Sequence, residues 1–100
     1  MLTRYLSEDN ESVGFKLAHP QENKDAQYTE FLCGFETFGL ENNISGEALG
    51  IDAVDALVNA MMRLDIFLKS SQECKRGEIR WVGAVAKDDF GLPWESAKQQ

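Results

Sequence analysis

Apolar and polar residues alternate strictly over residues 12–18. Val13, Phe15 and Leu17 fall on one side, and Ser12, Gly14 and Lys16 on the other. A period of two predicts a half-buried strand. The alternation returns over residues 27–37, where Phe31, Cys33 and Phe35 share a core face and Tyr28, Glu30, Leu32 and Glu36 share the opposite one. Residues 2–7 supply a short strand ahead of these two, and Glu8-Asp9-Asn10-Glu11 is a polar break suited to a hairpin loop. Residues 19–26 are polar, contain Pro20 and predict a loop. A fourth strand falls within residues 38–49. Gly39, Asn42, Asn43 and Gly46 interrupt it, which places it at a sheet edge.

The period changes at Ile51. Val54, Leu57, Val58, Met61, Leu64 and Leu68 recur at steps of three and four, predicting an amphipathic helix to about Ser70. Asp52 is placed to accept hydrogen bonds from the first turn, and Asp55 suits the positive end of the helix dipole. Asp65 and Lys69, four apart, are expected to pair on the helix surface. Beyond the helix, residues 70–77 read as a polar turn and residues 79–82 as a short strand. Gly91-Leu92-Pro93-Trp94 reads as an irregular docked segment with two apolar anchors, and residues 95–100 as a polar tail. The expected fold is α+β: an antiparallel sheet of four or five strands in ββββαβ order, with one long helix packed across one face. Residues 1–94 form this single domain, and the tail lies outside it.

Charge narrows the function more than composition does. Ten basic and 17 acidic residues give a net charge of -7. Nucleic-acid binding draws on a basic footprint, and anionic membrane surfaces attract basic segments, so both partners are excluded. Residues 1–50 carry three basic and nine acidic side chains, and residues 51–100 seven and eight. The acidic excess therefore sits in the sheet half, where it suits solubility or a basic protein partner. No apolar leader follows Met1, and two cysteines make no disulfide framework, which points to a cytoplasmic protein. Cys33 reads as a buried small hydrophobe and Cys74, beside Lys75 and Arg76, as an exposed thiol.

Catalytic chemistry finds no footing. His19 is the single histidine, and the two cysteines are 41 positions apart, so no metal, Ser–His or Cys–His set assembles from the sequence. Asp89-Phe90-Gly91 spells a kinase magnesium motif without the phosphate loop or catalytic run that gives it meaning. No catalytic, cofactor-binding or metal-ligating residue is assigned, and no cofactor is expected. One surface remains open. Tyr28 and Leu32 share a sheet face with Glu30 and Glu36, and an exposed aromatic–aliphatic pair with acidic neighbours suits a partner-binding patch. Trp81 and Trp94 read as core or rim residues.

The run Gly50-Ile51-Asp52-Ala53-Val54-Asp55-Ala56-Leu57, then Trp81-Val82-Gly83, then Gly91-Leu92-Pro93, resembles a family of small bacterial proteins catalogued as a domain of unknown function. Members place strands first, then a G-x-D-x-x-x-A-L helix, then W-x-G and G-L-P. The resemblance implies an α+β fold and a bacterial source, and it assigns no catalytic residue. Asp55 stands where the family more often has Gln. The expected function is that of a small, acidic, non-catalytic protein-binding domain, immunity- or adaptor-like. A homodimer is expected, the second sheet face being either solvated or buried in it, and the alternative function is a small-molecule site between its subunits.

Overall fold

The two alternating segments become the middle of a five-stranded antiparallel sheet. The computed structural model describes residues 1–7 and 11–93. Its strands are β1 (Leu2–Tyr5), β2 (Gly14–Leu17), β3 (Gln21–Glu22), β4 (Phe31–Phe38) and β5 (Ser45–Gly50), and its helices are α1 (Ala53–Ser70) and α2 (Gln72–Lys75). β4 is central, with β5 along one side and β2 along the other, and β1 lies outside β2.

The expected loop over residues 19–26 is partly strand. β3 continues along the same side of β4 as β2. Leu17 faces Phe35 and Gln21 faces Leu32, so four steps on this arm oppose three on β4. The additional residue is a bulge around His19 and Pro20, a position that tolerates proline because the ladder is already interrupted. The arm ends where Asn23 N–H donates to the Glu30 carbonyl at 2.8 Å. At the β4–β5 turn, buried Thr37 donates to Asn43 Oδ1 at 3.1 Å, and the same oxygen accepts Leu40 N–H at 3.0 Å. The asparagine that weakened the strand pattern therefore organises the turn.

One sheet face carries the core. Phe15 and Leu17 of β2, Cys33 and Phe35 of β4 and Ala48 of β5 meet Ala56, Ala60, Leu64 and Leu68 of α1, all buried. The helix lies across β4 and β5. Its buried row runs at a strict step of four, with alanines in the first half, so backbone approaches backbone there. A Cβ on Gly50 would collide with the Ala56 backbone. The apolar stripe expected to start at Val54 is corrected accordingly: Val54 is 70% exposed, because the small Ala56 and not the larger valine faces the sheet. Asp52 caps the helix as expected, its Oδ1 accepting Asp55 N–H at 2.7 Å. Asp55 Oδ2 closes the exchange by accepting Ile51 N–H at 3.0 Å. Asp52→Ala is expected to cost about 1 kcal/mol, read as a lower urea midpoint with an unchanged slope.

Two further expectations are corrected. Asp65 does pair with Lys69, at 3.1 Å, but its side chain is 3% exposed and not on the surface. No strand follows α1 among the described residues, so the element order is five strands and then two helices, not ββββαβ. Residues 70–77 contain the short α2, whose first turn Ser71 caps by accepting Cys74 N–H at 3.2 Å. Over residues 79–82, Ile79 is buried and Arg80 N–H donates to the Leu6 carbonyl at 2.9 Å. The chain then turns at once, Ala84 N–H returning to the Trp81 carbonyl. Residues 84–93 run irregularly and bury Phe90 and Leu92. Leu92 is one of the two apolar anchors expected there. Trp94, the tail over residues 95–100 and most of the expected Glu8–Glu11 loop lie outside the described residues.

Candidate functional site

Strand register places Leu32 and Glu36 on the sheet face away from α1, opposite Leu49 and Ser45 of β5 respectively. Glu36 also stands across from Lys16 of β2. Tyr5 meets Phe38 edge-on at 6.1 Å on the same face, and Lys16 lies 5.5 Å over the Phe38 ring. Tyr28 and Glu30 are not on β4, which begins at Phe31. They lie in the turn leading into it. Glu30 is half-buried, and its Oε2 accepts Asn23 Nδ2–H at 2.9 Å. Tyr28 stands 82% exposed.

The four expected site residues therefore do not form one cluster. Tyr28 and Glu30 wall a groove of about 390 Å³ with Leu49, Ile51 and Asp55. Leu32 adjoins it through Leu49. Glu36 is four residues farther along β4, about 13 Å away at strand rise, with a lysine opposite it. Leu49 and Ile51 were not legible as site residues. Leu49 lies in a strand that glycines disguise, and the apolar character of Ile51 reads as part of the helix. Here they are 54% and 76% exposed.

A second groove, of about 470 Å³, runs along the seam between β5 and α1. Its walls include Leu49 again, with Met62, Arg63 and Ile66. Helix side chains reach across the strand edge in this seam. Asn59 Nδ2–H donates to the Leu49 carbonyl at 2.7 Å, and Arg63 Nη1–H to the Glu47 carbonyl at 3.3 Å. Residues four apart on a helix rise about 6 Å, close to two strand residues, so one row caps two outward carbonyls of β5, those of Glu47 and Leu49.

The two cysteines and Asp89 are engaged within the fold. Cys33 is buried, its thiol donates to the Ala18 carbonyl at 3.3 Å, and burial pushes its pKa up. Cys74 is not the exposed thiol expected. It packs against the core, and burial raises its pKa, with Asp88 adding to the rise. Its thiolate is correspondingly disfavoured. Asp89 accepts Gly91 N–H at 2.9 Å and Val85 N–H at 3.1 Å, and these bonds hold its carboxyl below the usual range. The Asp89-Phe90-Gly91 run is thus a turn that seats Phe90. Among the described residues no three His, Cys, Asp or Glu side chains group as metal ligands, and no helix is long and apolar enough to cross a membrane.

The sequence model of a domain of unknown function, DUF6968, matches residues 1–94. The chain belongs to this family. No curated protein and no solved structure shows a significant match to it. The glycine, aspartate and alanine positions singled out in the sequence resolve into structure in this chain. Gly50 lets β5 pass against α1, Asp52 caps the helix, and Ala56 is its point of closest approach. Gly91, with φ of +70°, packs against Trp81 where a Cβ would strike the indole ring.

Proposed function

We propose that this DUF6968 chain is a small, non-catalytic module that binds a basic protein through the groove bounded by Tyr28, Glu30, Leu49, Ile51 and Asp55. One observation supports the reading above the others. Three large apolar side chains converge at that groove while 54–82% exposed, and two carboxylates border them. Exposed aromatic and aliphatic groups of this kind supply affinity, and carboxylates at the rim steer encounter. The net charge of -7 favours a basic heterologous partner over a second copy. An immunity- or adaptor-like role in the bacterial cytoplasm fits this chemistry.

The test is affinity capture from the source organism, followed by association and dissociation rates at two salt concentrations. The retained protein is expected to be basic. Tyr28→Ala with Ile51→Ser should weaken binding about tenfold or more, chiefly through faster dissociation. Glu30→Lys should slow association and flatten its salt dependence, while Glu36→Lys, off the groove, should change little. A partner bound equally by the wild type and the Tyr28/Ile51 variant would overturn the assignment.

A further inference from the structure

We propose that the partner presents a basic amphipathic helix, seated across Leu49 with apolar anchors in both grooves. The proposal rests on the protein-binding reading above and adds the form of the ligand. Leu49 borders the Tyr28–Ile51 groove on one side and the seam along α1 on the other. The stretches of β5 that wall them centre on Gly50 and Ala48, about 7 Å apart. That is close to the ~6 Å between residues i and i+4 on one helix face.

The capped edge decides against a strand. The outward carbonyls of Glu47 and Leu49 already accept from Arg63 and Asn59. A chain adding to β5 would have to displace both donors, and main-chain pairing is what gives strand addition its affinity. What remains for a partner is apolar surface. Ile66 is 55% exposed and lies beside Met62, whose unbranched thioether adapts to varied shapes. The charge is one-sided at the first groove, where Glu30 and Asp55 meet no cation, while Glu47 and Arg63 balance at the second, so the two grooves together are net acidic. Apolar anchors at one-turn spacing, flanked by cations, are the complementary chemistry.

The probes are two 18-residue peptides of identical Leu/Lys composition. One has Leu at i, i+3, i+4 and i+7, and the other alternates Leu and Lys in the strand pattern. The helix-patterned peptide should bind at least about tenfold tighter, gain helical circular dichroism on binding, and shift the methyl resonances of Leu49, Met62 and Ile66. Leu49→Ala with Ile66→Ser should weaken it about tenfold, and both sites are exposed enough to leave folding intact. Equal binding of the two peptides, or shifts confined to the first groove, overturns the helix. If the captured partner still depends on Tyr28 and Ile51 in that case, the protein-binding reading survives alone. If neither peptide nor partner responds to Tyr28→Ala with Ile51→Ser, both readings fall. A doubled mass in light scattering that Leu49→Ala with Ile66→Ser abolishes would assign the surface to a second copy and overturn the proposal.

Discussion

Phe90→Ala is expected to lower stability by about 3–5 kcal/mol, the range for deleting a fully enclosed aromatic side chain. Phe90 is among the largest side chains with no exposure at all, and it comes from an irregular segment with no strand or helix to hold it. Side chains hold it instead. Asp89 ties down Val85 N–H before it and Gly91 N–H after it. Arg4 of β1 donates to the Phe90 carbonyl at 2.9 Å and the Gly91 carbonyl at 3.1 Å while stacking 4.4 Å over Trp81. Removing the ring therefore leaves a cavity under the sheet and frees a strap from its anchor. Urea denaturation should show the loss, and hydrogen exchange should localise the opening to residues 84–93 with β4 and α1 still protected. Val85→Ala, at a site 96% exposed, should stay within about 0.5 kcal/mol of wild type. A loss below about 1 kcal/mol for Phe90→Ala would mean that the segment does not seal the core.

Phe90 also marks where the sequence stopped being informative. Period-two alternation locates β2 and β4 because each turns one face to the core, and the cap at Asp52 follows from local chemistry. The end of the chain has no period. Leu92 could be read as an anchor from the Gly and Pro around it, but Ile79 and Phe90 enter the core singly from turns, and nothing in their spacing distinguishes them from exposed Val82 or Val85. The start of the helix face is hidden from the pattern for a related reason. A hydrophobic pattern weights Val54 above Ala56, whereas close packing against Gly50 selects the smaller residue. Tyr28 and Glu30 are neighbours because a turn, not strand alternation, brings them together. Leu49 and Ile51 join them only through the β4–β5 register, which no local pattern encodes.

Lys69→Met is expected to cost about 3 kcal/mol at neutral pH, because it strips a buried carboxylate of its cation while keeping most of the side-chain bulk. Asp65 is 2% exposed on the face of α1 that includes Leu64 and Leu68. Burial pushes its carboxyl up, the hydrogen bond and charge of Lys69 pull it down, and Asp88 and Asp89 push it up again. A carboxyl whose folded pKa exceeds its unfolded value binds its proton more tightly in the native state. The stability linked to it is full below the unfolded value, about 4, and is lost as pH rises through the folded one. Without Lys69 the folded value rises further, so the variant should approach wild type near pH 4 and fall away from it toward neutrality. Asp65→Asn removes the titrating group. Added to Lys69→Met, it should recover much of the neutral-pH loss and flatten the profile over the same window. Urea midpoints for the three variants between about pH 4 and 8 check both signs. A Lys69→Met cost that is constant across the window would assign it to the packing of the lysine methylenes rather than to the charge they carry.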